Sequence, residues 1–229
     1  MKERDPGVKW FNTIFYPKLH TARAVRYEDG VLPRIRETNI CLFTPWGPRY
    51  SWETRGVEVQ DSDKEVEVLN FLVDLFAQIN QNMPAKSFRW LFLGADTYGS
   101  KINHLPAEVI SGYFGSLAWR LHQVLPTAEF RLWSEFNESA ERYREEIRAN
   151  FRKFVGSNLL ARAEITAKSM GRGGDAKEYL VERIAEAMLI EKEFRPVKVS
   201  CVGRHKDDKV DGDLPRIYLL PEQLHAPWL

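Results

Sequence analysis

The stretch SFRWLFLGADTYGSKINH, residues 87–104, constrains this chain more than any other. Phe88 to Leu93 is a short, aromatic-rich apolar run closed by Gly94. A strand reads this way when both of its faces are buried, because a parallel sheet covered by helices needs no polar alternation. The composition then turns over at once to Asp96, Thr97, Tyr98, Gly99, Ser100, Lys101, Asn103 and His104. An amphipathic segment, Pro106 to Leu125, follows. Strand, polar loop and helix in that order put the loop at a strand's carboxyl end, where open α/β sheets bind their ligands. The same residues also suit a plain strand-to-helix turn, with glycine for backbone freedom and aspartate as a turn former.

The rest of the chain repeats the alternation. Thr38 to Thr44 is a strand, apolar through Ile40, Cys41, Leu42 and Phe43, and it runs into a loop from Pro45 to Arg55. Pro45 and Pro48 stiffen that loop, while Trp46, Trp52, Arg49 and Arg55 decorate it. Loop aromatics of this kind either wall a ligand site or fold back as core. The arginines suit a carboxylate or phosphate through paired hydrogen bonds. A helix follows from Asp61, with Val66, Leu69, Leu72, Leu75, Phe76 and Ile79 on one face and Asn80, Asn82 and Pro84 at its end. In the Pro106 helix, Ile110, Tyr113, Phe114, Leu117 and Leu121 recur at helical spacing. Glu129 to Phe136 reads as a third strand and Glu138 to Phe154 as a charged helix. There Arg144, Arg148 and Arg152 fall at i, i+4 and i+8 with Glu141 and Glu145 beside them, the pattern of a solvated, mutually paired face. A GRGGD segment, Gly171 to Asp175, precedes a helix from Ala176 to Glu191, in which Arg183 stands among apolar neighbours. Val197 to Val202 is the fourth strand. Arg204, His205 and Lys206 lie in the connection beyond it, and Arg216 to Leu220 reads as its antiparallel hairpin partner.

These elements predict an α/β protein: a Rossmann-like three-layer sandwich, mostly parallel, with an antiparallel C-terminal hairpin. Residues 37–229 form one domain, and residues 1–36, with the aromatic cluster Trp10 to Tyr16, pack on it as an N-terminal segment. Asp29-Gly30 marks a turn, and Pro33 argues against helix there. A net charge of +1 over 229 residues gives no global field for nucleic acid or acidic membranes. Two cysteines, Cys41 and Cys201, are too few for a disulfide framework, which fits a reduced, cytoplasmic protein. No apolar run reaches the ~18 residues of a membrane span. The five histidines have no paired ligand spacing, so no metal site is expected. G-x-G-x-x-G, P-loop and G-x-S-x-G motifs are all missing, and no cofactor is implied.

The C-terminal residues carry a family likeness. The segment VKVSCVGRHKDDKVDGDLPRIYLLPEQLHAPWL resembles the end of the isonitrile synthases, a family that includes the fungal spore-wall dityrosine enzymes. There a strand bearing serine and histidine leads through a charged turn to a second strand ending Leu-Pro, then Pro-Trp. The matching residues are Ser200, Leu220, Pro221, Pro227 and Trp228, with His205 displaced by several positions. The Pro45-Trp46-Gly47-Pro48 loop is similar to that family's proline loop, with Arg49 and no lysine in it. Asp96 falls where the family has a Ser-Asp-Gly turn. The resemblance implies a cofactor-free enzyme joining the amino group of an aromatic amino acid to a carbon of a pentulose phosphate. Such Schiff-base chemistry needs a lysine or the substrate amine as nucleophile, and Lys101 and Lys206 are the candidates.

Two function classes follow. The first is an enzyme on a small anionic substrate, a sugar phosphate or an amino acid. Arg49, Arg204 and Lys206 would bind its anion, and Trp46, Trp52, Tyr98 and Trp228 would wall it. Asp96, Glu135, His205 and Lys101 would do the chemistry. The second is a tRNA- or RNA-binding protein that stacks bases on the Trp46–Trp52 loop and meets the backbone with the arginine helix.

Overall fold

A computed structural model describes residues 29–47, 49–51, 56–58, 63–82, 86–102, 104–169, 175–200 and 214–218. In chain order these form α1 (Val31–Ile35), β1 (Asn39–Trp46), β2 (Arg49–Ser51), β3 (Gly56–Glu58), α2 (Asp63–Asn82) and β4 (Ser87–Gly94). A π-turn (Tyr98–Ile102), α3 (Ala107–Val124), β5 (Glu129–Leu132) and a 3₁₀ turn (Trp133–Phe136) come next. The series ends with α4 (Asn137–Ala149), α5 (Phe151–Phe154), α6 (Ser157–Ser169), α7 (Ala176–Phe194), β6 (Val197–Ser200) and β7 (Arg216–Tyr218).

The sheet is a Rossmann-like parallel one, ordered β5-β4-β1-β6-β7. Alternation within β1 and β4 sends successive side chains to opposite faces. Ile40, Leu42, Trp46, Trp90 and Phe92 meet α1, α2 and α3 in one core. Phe43, Leu91 and Leu93 meet α4, α6 and α7 in the other. Apolar runs with no polar face thus yield three layers, because each strand residue finds a helix on its side. Trp90 donates its indole N–H to Thr44 Oγ1 at 2.9 Å, so the buried hydroxyl of β1 is used.

Several expected elements differ in detail. The C-terminal pair is parallel: β6 and β7 align Lys198 with Arg216 and Ser200 with Tyr218. The connection, residues 201–215, is long enough for the dozen or so residues a parallel crossover requires, so it need not turn back as a hairpin. The third strand stops at Leu132, where the chain tightens into the 3₁₀ turn so that Trp133 can enter the second core. The charged helix breaks at Asn150 into α4 and α5. Pro33 does not prevent helix: it sits in the first turn of the short α1, where a missing N–H costs no hydrogen bond. Val31 and Ile35 of that turn are fully buried, and Arg34 donates to the Pro196 carbonyl and to Glu191, tying this end to the sheet.

Candidate active site at the strand ends

Register sets the strand ends level. Trp46 stands opposite Gly94, and Gly94 opposite Leu132. On the other side Leu42 pairs with Val197, and Ser200 with Tyr218. The chain steps from β1 to β4 to β5 and then returns to place β6 on the opposite side of β1. Connections therefore diverge between β1 and β6, the position where such sheets open a crevice outside their carboxyl ends. The carboxyl ends of β1, β4 and β6 lie along one rim.

The β4 loop is built into this rim from both sides. A Cβ on Gly94 would lie 2.9 Å from Leu132 Cδ2 and from the Phe114 ring, so only glycine lets β5 and α3 close over the strand end. The Ala95 N–H donates to the Trp46 carbonyl at 2.7 Å, carrying the loop past the end of β1. Asp96 Oδ1 accepts from the Ser134 backbone N–H at 3.0 Å and fixes the loop to the turn after β5. The π-turn follows, a form that recurs at functional sites. The chain leaves it through His104, at a left-handed φ of 53°.

Beneath the π-turn lies a buried polar cluster supplied by α7. Asp175 caps that helix by accepting from the Lys177 N–H at 2.8 Å. Tyr179, Glu182 and Glu186 follow at spacings that share one helix face. Glu182 is 2 % exposed; its Oε2 accepts from Trp133 Nε1 at 2.9 Å and from Arg144 Nε at 3.0 Å. Its Oε1 lies 3.8 Å from the Lys101 ammonium, which is itself 59 % exposed. Glu186, also buried, accepts from the Tyr98 hydroxyl at 3.1 Å. The Tyr98 ring meets Tyr179 edge-on at 5.8 Å. Burial, and then the negative charge of Glu186, push the Tyr98 hydroxyl well above the usual phenol range. It is held as a hydrogen-bond donor.

Arg144 is the buried counter-charge of Glu182. Only 2 % exposed, it also donates to the Asn137 carbonyl at 3.1 Å, to Asn137 Oδ1 at 3.0 Å and to Glu141 at 3.0 Å, with its guanidinium 5.6 Å from the Trp133 ring. This corrects the reading of α4 as a wholly solvated face. Arg148 does behave as expected, pairing with Glu141 at 3.1 Å and with Glu178 at 2.9 Å on the surface. Arg152 is exposed.

The rim brings two of the expected site residues, Tyr98 and Lys101, against two carboxylates that sequence reasoning missed. Asp96 stands between β4 and β5 as a backbone acceptor. Glu135 is exposed; it accepts from the Leu132 N–H at 2.8 Å and from Arg131, holding the end of β5. Trp46 is core rather than loop wall: 1 % exposed, it donates to the Tyr113 hydroxyl at 3.1 Å, which in turn donates to the Gly47 carbonyl. Arg49 opens β2, opposite Glu58, in a small antiparallel ribbon formed by the proline loop. Trp52, Arg204, His205, Lys206 and Trp228 lie outside the described residues, as does the GRGG segment. The signal for Glu182 and Glu186 is a helix buried on nearly every side from Leu180 to Ile190, which leaves a charge no solvent face. Arg183, read as the inward charge of that helix, is half-buried and reaches the Tyr179 hydroxyl at 3.4 Å.

This architecture recurs in solved structures. Tyrosyl-tRNA synthetase from Archaeoglobus fulgidus, complexed with L-tyrosine, superposes with a TM-score of 0.56 at 13 % identity, over 84 % of this chain and 54 % of the synthetase. The chain thus spans about half the length of that enzyme. The PvcA protein from Pseudomonas aeruginosa gives a TM-score of 0.55 at 15 % identity, over 100 % of this chain and 82 % of PvcA. A CDPS from Fluoribacter dumoffii follows at a TM-score of 0.40 and 15 % identity, over 74 % of this chain and 80 % of that one. The likeness is one of fold. No protein-family model matches the chain, and no curated protein matches it in sequence. Among the described residues no helix is long and apolar enough to cross a membrane.

Proposed function

We propose that this chain is an enzyme that binds an amino acid at the carboxyl rim of its sheet, with the substrate amino group anchored on Glu182. The observation that carries the reading is the state of that carboxylate. One oxygen is consumed by Trp133 and Arg144, which fix its orientation, while the other is reached from solvent by a lysine ammonium. A desolvated carboxylate oriented in this way suits an ammonium ion far better than a neutral group. Tyr98 and Tyr179 provide aromatic surface beside it. Arg49, Arg204 and Lys206, which follow β1 and β6 in sequence, would receive the anionic part, a carboxylate or a phosphate. Such a division of labour agrees with the isonitrile-synthase-like reading, in which an aromatic amino acid meets a sugar phosphate.

A second reading has the amino acid arrive esterified to tRNA. The fold shared with a synthetase that binds tyrosine favours it, over 84 % of this chain. The experiment is equilibrium binding of radiolabelled amino acids, free and as aminoacyl-tRNA, to the wild type and to Glu182→Gln. Loss of the charge-assisted contact should weaken binding about tenfold or more. Binding of free amino acids that Glu182→Gln leaves unchanged would overturn the anchor. Binding confined to aminoacyl-tRNA would select the second reading.

A further inference from the structure

We propose that Lys101 is the specificity-determining residue of the Glu182 site: its ammonium stands where the ligand's ammonium binds, and a ligand enters by displacing it. The inference rests on the amino-acid reading and names which ligands that site admits.

Three observations carry it. The first is charge. Glu182 and Glu186 sit one helical turn apart with both carboxylates buried, and Arg144 lies against Glu182. Among the described residues, Lys101 is the cation that reaches Glu182 Oε1. Removing a buried carboxylate's compensation is costly, so an empty site needs a cation of its own at that oxygen. The second is distance. At 3.8 Å the ammonium neutralises Oε1 while standing beyond hydrogen-bond length, so a ligand ammonium that closes to about 2.8 Å would make the better contact. The third is the exposure of the lysine itself. Its side chain is mostly exposed and carried on the π-turn, so it can swing into water without uncovering core. Trp133 and Arg144, by contrast, are buried and locked, and they keep Glu182 Oε1 in place during the exchange.

Two ammonium ions cannot share Oε1 in a site of low dielectric, so the ligand must bring a positive charge to replace the one it expels. A neutral ligand of the same shape would have to leave Lys101 in place and would find its position filled. Lys101 thereby discriminates between a free amino group and an acylated one.

The test is calorimetric titration with a panel of L-amino acid amides and their N-acetyl counterparts, which differ by the ammonium alone. Proteins would be the wild type, Lys101→Met, which keeps the stem and removes the charge, and Lys101→Arg. The wild type should bind an amide and reject its N-acetyl form. Lys101→Met should bind the same amide about fivefold tighter, the expected worth of one partly exposed ion pair no longer broken. Its N-acetyl counterpart, no longer facing a tethered ammonium, should gain more than the amide does and so narrow the preference, and Lys101→Arg should behave as the wild type. Equal amide affinity in wild type and Lys101→Met, with Glu182→Gln still weakening it, would overturn the proposal and leave the anchor standing. An equal gain for both members of the pair would also overturn it, since Lys101 would then be only a steric cover. Binding of no amide by any of the proteins would overturn the proposal together with the reading beneath it.

Discussion

Replacing Arg144 by methionine removes the counter-charge of a carboxylate that is only 2 % exposed. The structure supplies the magnitude. Arg144 and Glu182 are each 2 % exposed and meet at 3.0 Å. Methionine keeps an apolar stem against Trp133 but leaves Glu182 with the indole N–H and a lysine at 3.8 Å. Breaking a buried pair from one side costs about 3–5 kcal/mol, a large share of the ~5–15 kcal/mol that holds a typical domain together. Urea unfolding, followed by tryptophan fluorescence and far-UV circular dichroism, should record that loss as a lower midpoint at unchanged slope. The double variant Arg144→Met/Glu182→Gln is the informative control. Glutamine still accepts from Trp133 but carries no charge, so the double variant should be more stable than Arg144→Met alone. The reasoning is refuted if Arg144→Met stays within ~1 kcal/mol of the wild type, or if the second substitution adds to the first instead of relieving it.

Two further predictions concern the rim. Tyr98 should ionise late, well above the ordinary phenol range. Its folded value is raised, so the stability it contributes is complete below the unfolded phenol value of ~10 and declines as pH climbs through the folded one. Absorbance at the tyrosinate band, compared between wild type and Tyr98→Phe, should show one late titration that coincides with alkaline unfolding; an independent early one would refute the buried donor. At Gly94, alanine would press its Cβ into Leu132 and Phe114 at 2.9 Å and should cost about 1–3 kcal/mol. Gly112→Ala, on the exposed face of α3 with nothing within 4 Å of the new methyl, should instead stabilise by about 0.5–1 kcal/mol. Thermal unfolding of the two variants separates them by the sign of the shift.

The fold was legible where burial dominates the choice of residue. Ile40 to Phe43 and Trp90 to Leu93 are apolar on both faces because helices cover both, and the stripes of α2 and α3 repeat at helical spacing for the same reason. Strand direction was less legible. A polar connection with Gly212 and Pro215 fits a hairpin or a crossover equally, and only pairing across the sheet decides between them. Arg144 was misread because its partner, Glu182, lies on another helix and its near neighbours, Glu141 and Glu145, imitate a surface ladder. At the site, the polar loop after β4 announced Tyr98 and Lys101. Their partners on α7 were hidden among leucines, isoleucines and alanines, where a glutamate draws notice only once the helix is known to have no wet face. At Cys41, on β1, burial pushes the thiol up to about 11, out of the range of a nucleophile at neutral pH.

The order of the strands also governs when the site comes into being. The central strand, residues 39–46, takes one neighbour from residues 87–94 and the other from residues 197–200. On a ribosome the first pairing can form early, whereas the second waits until α4 to α7 have been made. Until then the central strand presents a bare apolar edge, the kind of surface that recruits other chains. The crevice between β1 and β6 therefore closes late, just ahead of the β6–β7 pairing. A chain that stopped short of β6 would hold three of the five strands and lack that crevice. Folding should be slow for its size, limited by this one distant pairing, and a ligand that bridges β1 and β6 would favour the finished state over every earlier one.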